Sequence, residues 1–154
     1  MNGMRISAKA DYAVRAALEL ALADGELLTC EVVARAQDVP QKFLESILSD
    51  LRHAGLVRSQ RGVDGGYTLA RSPRTITVAD VIRAVDGPLA SVRGQRPQDV
   101  HYDGSAAVLQ SLWVAVRASL REVLEGVTLS DLAAGQLPAP TRRLTEAEDA
   151  WVTR

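Results

Sequence analysis

The residues of this sequence with the clearest chemical potential are cations concentrated in one short window. Between positions 52 and 74, five arginines stand against one acid, Asp64, so five minus one gives a local charge of +4 in a chain of net charge −1. These arginines are Arg52, Arg58, Arg61, Arg71 and Arg74. A positive patch on a nearly neutral chain predicts a polyanionic partner, and the pattern favours double-stranded DNA.

Two predicted helices precede this window, and the second runs into it. Thr29 is a typical N-cap for a helix over 29–37, where Val32, Val33 and Ala36 recur at helical spacing. Asp38-Val39-Pro40 ends that helix, and a second begins at Pro40 and ends before Gly55. Its predicted buried residues are Phe43, Leu44, Ile47, Leu48 and Leu51. Two helices joined by three residues predict a helix-turn-helix.

A β-hairpin is predicted directly after the second helix. Alternating residues at 56–60 and 67–70 flank the turn at 61–66, which contains Gly62, Gly65 and Gly66. Glycines permit positive φ and a close approach of backbone to a ligand. Beside a recognition helix such a hairpin is a wing, so the predicted fold is mainly α with a small β-hairpin wing.

The exposed residues of the predicted recognition helix are candidates for DNA contact. The N-terminal part of such a helix meets base edges, which selects Gln41, Lys42, Glu45 and Ser46 for base reading. Arg52 on the same helix, together with Arg58, Arg61 and Gly62 of the wing, completes this DNA-contact set. For Glu45 the alternative is a solvated carboxylate, and for Arg61 it is a solvated turn arginine.

The rest of the chain predicts a first helix at 7–22, with a face of Val14, Ala17, Leu18, Ala21 and Leu22, and a helix at 78–85 capped by Thr77. The polar segment 88–105 carries no pattern of regular structure. A long apolar stripe then covers 106–126 and predicts a helix that needs a partner. The stripe contains Leu109, Leu112, Trp113, Val116, Leu120, Val123 and Leu124. The alternative partner is the chain's own winged domain.

Composition and the ends of the chain exclude several classes. Hydrophobic residues make up 47% and charged residues 24%, as in an ordinary soluble globular protein. A single cysteine, Cys30, excludes an intrachain disulfide. No uninterrupted apolar run indicates a signal peptide or membrane span, so a cytoplasmic protein is predicted. No catalytic cluster or G-x-S-x-G motif is present, and no enzyme is predicted.

Four runs of the sequence, in matching order, resemble the Rrf family of bacterial winged helix-turn-helix transcription regulators. They are Arg5–Val14, Leu51–Val57, Arg61–Tyr67 and Ile76–Asp86, and the likeness extends to about residue 135. The resemblance implies a winged domain over 1–87, a sensing loop over 88–105, a dimerisation helix and closing short helix over 106–135, and a tail after it. The composition of the tail, 136–154, predicts mobility, with Trp151 either loosely docked or exposed.

The same resemblance implies a homodimeric regulator that represses a pseudo-palindromic operator. It also implies that Ser7 and Lys9 contact DNA phosphates and that Arg61 enters the minor groove. The alternative for Ser7 and Lys9 is that they form a solvated helix start without a role in DNA binding. Family members that bind an iron–sulfur cluster carry three cysteines in the loop, and this chain has none there. No metal or other cofactor is therefore expected, since His101 is a weak metal signal.

The signal that controls such a regulator could be a small-molecule effector or a partner protein, or the regulator could act constitutively. Cys30 lies in the first turn of a predicted helix, where a lowered thiol pKa would suit a redox sensor. Its alternative is a small side chain without chemistry. A further alternative function is a winged-helix protein-interaction module, although such modules do not require an arginine-rich wing.

Overall fold

The computed structural model describes residues 5–153 and is mainly α-helical with one two-stranded sheet, which confirms the predicted fold class. The helices are α1 (Ala8–Leu22), α2 (Cys30–Gln37), α3 (Gln41–His53), α4 (Val78–Asp86), α5 (Val108–Glu125), α6 (Leu129–Ala133) and α7 (Ala139–Thr145). The strands are β1 (Val57–Gln60) and β2 (Gly66–Leu69). Residues 1–4 of the predicted winged domain and Arg154 of the tail lie outside the described residues.

Helix α1 lies at the centre of the winged domain and packs against α3, α4 and α6. Its buried residues are Ala10, Ala13, Ala16, Ala17 and Leu20. Of the predicted face, Ala17 is buried, Val14 and Ala21 are partly buried against the core, and Leu22 was a wrong prediction because it is 54% exposed. Small side chains let three neighbouring helices approach α1 closely, whereas periodicity arguments give most weight to large side chains.

The helix-turn-helix forms where it is predicted. The Thr29 hydroxyl accepts from the backbone N–H of Val32 at 3.2 Å and caps α2, and Asp38 takes a left-handed conformation at the turn. Helix α3 buries Leu44, Ile47, Leu48 and Leu51. Burial of Phe43 was a wrong prediction, since its side chain is 58% exposed. The buried residues recur at spacings of three and four from Leu44, which turns the preceding residue toward another face.

The wing is an antiparallel hairpin in which Gln60 pairs with Gly66 and Val57 with Leu69. Leu28, in the connection between α1 and α2, adds a third segment through backbone hydrogen bonds with Tyr67 of 3.0 and 2.7 Å. A Cβ on Gly65 would lie 2.1 Å from the carbonyl oxygen of Gln60. The tight turn therefore requires glycine there.

Helix α6 returns to the winged domain. Two capping boxes lie side by side: Thr77 caps α4, Thr128 caps α6, and these two residues form an isolated antiparallel bridge. Leu129 is fully buried in the same hydrophobic core as α1 and α3. At about 25 cal/mol per Å² of apolar surface, burying this leucine contributes roughly 2 kcal/mol to the attachment.

The segment before α5 and the tail after α6 contain more structure than the sequence indicates. Within 88–105, a 3-10 turn at Pro97–Asp99 contacts α5, and Pro97 and Val100 are buried. The tail contains α7. Trp151 is 83% exposed, and its indole N–H donates to the carbonyl oxygen of Thr145 at 2.6 Å. Of the two alternatives for Trp151, the structure shows the exposed one with a single hydrogen bond.

Candidate nucleic-acid interface

The four predicted base-reading residues lie together on the outer face of α3. Gln41, Lys42, Glu45 and Ser46 are all exposed, while the opposite face of the helix holds the core leucines and Ile47. The hydrophobic packing thus fixes which side of α3 is presented outward. Pro40 occupies the N-cap and makes no side-chain cap hydrogen bond, so the N–H groups of the first turn lack a side-chain acceptor.

Four cations of the predicted interface are exposed and make no ion pair within the described part of the chain. They are Lys42, Arg52, Arg58 and Arg61. Arg71, by contrast, lies 3.4 Å from Asp80 and forms an ion pair. An unpaired, exposed cation remains available to a phosphate. The recognition helix and the wing therefore form a positive surface without internal neutralisation.

The two predicted residues at the start of α1 already have protein partners. The Ser7 hydroxyl accepts from the N–H of Ala10 at 2.9 Å and donates to an Asp86 carboxylate oxygen at 2.5 Å. The Lys9 ammonium lies 2.8 Å from the carboxylate of Asp50 on α3. A phosphate contact from either side chain would require exchange of these partners. The lysine also neutralises one of the two acids of α3.

The wing is held in a fixed relation to α3. The N–H of Leu56 donates to the carbonyl oxygen of Leu51 at 3.0 Å, and the N–H of Ala70 donates to the carbonyl oxygen of Leu56 at 2.9 Å. These bonds join the end of α3 to both strands of the hairpin. At the tip, Gly62 has a φ of +112° and follows directly after Arg61. Only glycine adopts such a conformation without strain.

Cys30 lies beside the start of the recognition helix. Its Sγ is 3.7 Å from the carbonyl oxygen of Gln41, at hydrogen-bonding distance for sulfur. Burial raises the pKa of the Cys30 thiol above its ordinary value, and the nearby Glu45 carboxylate raises that pKa further. Both causes act against a thiolate. A raised thiol pKa is the opposite of what a reactive sensor needs.

Helix α5 has no fully buried residue along its 18 residues in the single chain. Leu112 of the predicted dimerisation stripe is 50% exposed. The other six members are half-buried: Leu109, Trp113, Val116, Leu120, Val123 and Leu124. The indole N–H of Trp113, for example, donates to the hydroxyl of Tyr102 at 3.1 Å. Part of the stripe therefore packs against the helix's own chain, and Leu112 shares an exposed apolar surface with Val108, one turn earlier.

Two features of the structure were missed by the sequence analysis. Phe43 is exposed next to Lys42, and its ring centroid lies 6.4 Å from that of Tyr12. The sequence carries no clear signal for this, because Phe43 lies four residues before the buried Ile47 and so fits a helical spacing. The second feature is a cavity lined by three arginines, one from α4, one from 88–105 and one from α5. No local motif indicates it, since its walls are far apart in the sequence.

The arrangement of α2, α3 and wing has a counterpart in known proteins. A family model named Rrf2, described as an iron-dependent transcriptional regulator, matches residues 6–135. The chain belongs to the Rrf2 family. Members of this family are non-enzymatic DNA-binding transcription regulators, which confirms the predicted function class and the predicted absence of an enzyme. No helix within residues 5–153 is long and apolar enough to span a membrane.

Individual Rrf2 relatives cover nearly the whole chain. The provisionally named HTH-type transcriptional regulator Rv1287 of Mycobacterium tuberculosis is 49% identical over 144 residues, which is 93% of this chain and 89% of that protein. The structure of CymR, the global cysteine regulator of Bacillus subtilis, superposes with a TM-score of 0.73 at 36% identity over 86% of this chain and 98% of CymR. The structure of IscR from T. potens superposes with a TM-score of 0.68 at 35% identity, over 99% of this chain and 94% of that IscR chain.

The iron in the Rrf2 family description lacks a suitable set of donors in this member. Cys30 is the single cysteine of the sequence. Among residues 5–153, no three His, Cys, Asp or Glu side chains lie close enough together to hold a metal ion. In the 88–105 segment, Asp99 is ion-paired with Arg96, and His101 contacts only Asp103 at 3.1 Å. These residues do not fit an iron or iron–sulfur centre.

Proposed function

We propose that this Rrf2-family regulator is a homodimeric repressor of a pseudo-palindromic operator, and that it binds DNA without a metal. Each protomer inserts α3 into a major groove, and two protomers read half-sites about one helical turn apart. The wing lies along the adjacent minor groove and backbone. A DNA-bound regulator of this kind acts on the chromosome, which accords with the predicted cytoplasmic location.

The observation that carries this proposal is the contrast in pairing among the cations. Lys42, Arg52, Arg58 and Arg61 are exposed without an acidic partner in the described chain, although the whole protein has a net charge of −1. Several arginines elsewhere on the surface do have acidic partners, as Arg35 does with Glu31 at 2.6 Å. A concentrated, unpaired set matches the negative charge of a DNA backbone.

Base reading is assigned to the outer face of α3. Lys42 donates to guanine, Glu45 accepts from the amino group of cytosine, and Gln41 pairs with adenine, while Ser46 contacts either kind of base. Phe43 adds an exposed apolar surface that suits a thymine methyl group. Loss of one base-reading side chain is expected to cost about 1–3 kcal/mol at its own base pair.

Phosphate contacts are assigned to the remaining cations and to backbone donors. Arg52 and Arg58 contact phosphates, the N–H groups at the uncapped start of α3 bind another, and Arg61 enters the minor groove beside Gly62. Ser7 and Lys9 join this set only if DNA displaces Asp86 and Asp50 from them. We therefore assign these two residues a smaller contribution than the arginines.

The proposed DNA binding is tested by selection of bound duplexes from genomic fragments with purified, metal-free protein at fixed salt. A recovered pseudo-palindrome would support a dimer that needs no metal, and its two-fold symmetry would mirror that of the protein. Arg61→Ala is then expected to weaken operator binding at physiological salt. Failure to recover any motif, both alone and in cell extract, would contradict the proposal and favour a winged helix that binds a protein.

The proposed dimer is tested on α5. Leu112→Glu places a charge on the exposed apolar surface and is expected to convert the dimer to a monomer, because an unpaired charge is costly in an apolar interface. The matched control is Leu144→Glu on α7, a leucine of similar exposure at 58% compared with 50%. Light scattering during size exclusion reports the mass. A dimer that survives Leu112→Glu, or a wild-type monomer, would contradict the assignment.

A further inference from the structure

We propose that the cavity between α4, the 88–105 segment and α5 binds a small organic oxyanion, a carboxylate or a phosphate or sulfate ester with a short apolar part. The cavity has a volume of about 320 Å³. Its walls are formed by Arg83, Gly87, Pro88, Leu89, Arg96 and Arg117. The cavity lies apart from the DNA-contact set and shares no residue with it.

The charge of this cavity is positive because its lining contains three arginines and no acid. Two of the three already pair with carboxylates outside the lining: Arg83 with Glu125, and Arg96 with Asp99 at 2.7 Å. Arg117 is half-buried and has no carboxylate partner within the described part of the chain. A half-buried guanidinium without a partner is unfavourable, and a bound anion would remove that cost.

The geometry of the donors suits an oxyanion rather than a halide or a cation. Guanidinium groups present parallel N–H donors that match the two oxygens of a carboxylate, phosphate or sulfate. Pro88 and Leu89 supply an apolar wall, so the ligand is expected to carry a short hydrocarbon part. A volume near 320 Å³ lies at the small end of ligand pockets, which run from about 300 to 1,000 Å³.

Binding at this cavity would connect the winged domain with α5. Arg83 belongs to α4, Arg117 belongs to α5, and Arg96 belongs to the segment between them. Arg83 also contacts Glu125 near the end of α5, where hydrogen bonds from Arg121 and Arg83 lower the pKa of that carboxyl group. A ligand that draws on Arg83 and Arg117 together would alter this link. The regulatory consequence rests on the proposed function, but the binding itself does not.

The test uses the full-length protein without DNA, so that its failure is separate from a failure of operator binding. Arginine side-chain N–H resonances are followed by NMR at constant ionic strength during titrations with three kinds of probe. The probes are inorganic phosphate, inorganic sulfate and the straight-chain carboxylates from acetate to hexanoate. We expect a saturable shift with at least one probe. Tighter binding of longer carboxylates would identify a carboxylate, and preference for phosphate or sulfate would identify an ester.

Arg117→Ala is expected to weaken the best probe at least about tenfold, the loss typical of one charge-assisted hydrogen bond. Arg117→Lys keeps the positive charge but removes the paired N–H donors of the guanidinium group, so we expect an intermediate loss of probe affinity. Circular dichroism is expected to show that the fold of this variant is preserved. Arg143→Ala on α7 is the charge-matched control and leaves the affinity unchanged, since this exposed arginine is likewise unpaired within the described residues and lies outside the cavity lining. Absence of saturable shifts with all probes, or equal losses in Arg117→Ala and Arg143→Ala, would overturn the proposal.

Discussion

The salt dependence of operator binding gives a quantitative test of the unpaired cations. Two of the four in each protomer, Arg52 and Arg58, are assigned to phosphates, so a dimer offers four such contacts. Each phosphate neutralised contributes about −0.9 to the slope of log affinity against log salt concentration, which predicts a slope of about −3.6 from these arginines. Arg58→Ala removes two contacts from the dimer. We expect the magnitude of its slope to fall by about 1.8.

This change is measurable by fluorescence anisotropy with a labelled operator. Across a fourfold range of salt, from about 50 to 200 mM, a slope difference of 1.8 changes the ratio of wild-type to variant affinity about twelvefold. Sequence preference is expected to stay the same, because phosphate contacts carry no direct sequence information. Arg143→Ala serves as the control, since this arginine is exposed and lies beyond the region that matches the family model.

Two results would refute the reasoning. An unchanged slope in Arg58→Ala would show that this arginine does not neutralise a phosphate, even if the affinity fell. An equal change of slope in Arg143→Ala would show that the total charge of the protein, and not the surface formed by α3 and the wing, sets the salt dependence. Either outcome would remove the pairing contrast as support for the proposed interface.

Three further predictions address the wing, α5 and Cys30. Gly65→Ala is expected to lower the free energy of unfolding and the operator affinity more than Gly62→Ala, because a Cβ at Gly65 collides with the carbonyl oxygen of Gln60. A Cβ at Gly62 meets no atom, so Gly62→Ala costs only the strain of a left-handed conformation, about 1–2 kcal/mol. Equal effects of the two substitutions would contradict this prediction. The pKa of Glu125 is lowered in the folded state, so the stability that this carboxylate contributes is complete above the ordinary glutamate pKa of about 4.3 and is lost as the pH falls through the folded-state value. Glu125→Gln should therefore make the free energy of unfolding depend less on pH in that window. Identical pH curves for wild type and variant would contradict this prediction. The raised pKa of Cys30 predicts that iodoacetamide alkylates this thiol near pH 8 more slowly than an unstructured peptide cysteine of ordinary pKa about 8.5. Peroxide is expected to leave the operator affinity unchanged in wild type and in Cys30→Ser. Fast alkylation or a peroxide response would support the redox-sensor alternative.

Local signals predicted the helix-turn-helix well because each one has a local physical cause. The Thr29 cap, the turn at Asp38 and the spacing of Leu44, Ile47 and Leu48 depend on residues within a few positions of one another. The same holds for the hairpin and its glycines. Candidate base-reading residues follow directly from this, since the exposed face of α3 is the face that the core does not use.

Other features depend on distant packing and could not be predicted. The alanine face of α1 is buried because α3, α4 and α6 surround it, which its own periodicity does not reveal. Ser7 and Lys9 were assigned to DNA, but their partners Asp86 and Asp50 come from other helices. The cavity arginines likewise meet only in the folded chain. Long-range partners decide whether a polar side chain is available to a ligand.

The bridge between Thr77 and Thr128 has a mechanical consequence for a dimer formed through α5. This bridge and the buried Leu129 fasten the chain just beyond the end of α5 to the winged domain. Helix α5 spans about 27 Å at 1.5 Å per residue, so a rotation of the helix about this bridge moves the opposite end of the helix furthest. A tilt of about 10° would displace that end by about 5 Å, one helical turn. In the proposed dimer, a small rotation of α5 at the bridge would therefore change the distance between the two recognition helices enough to gain or lose their match to successive major grooves.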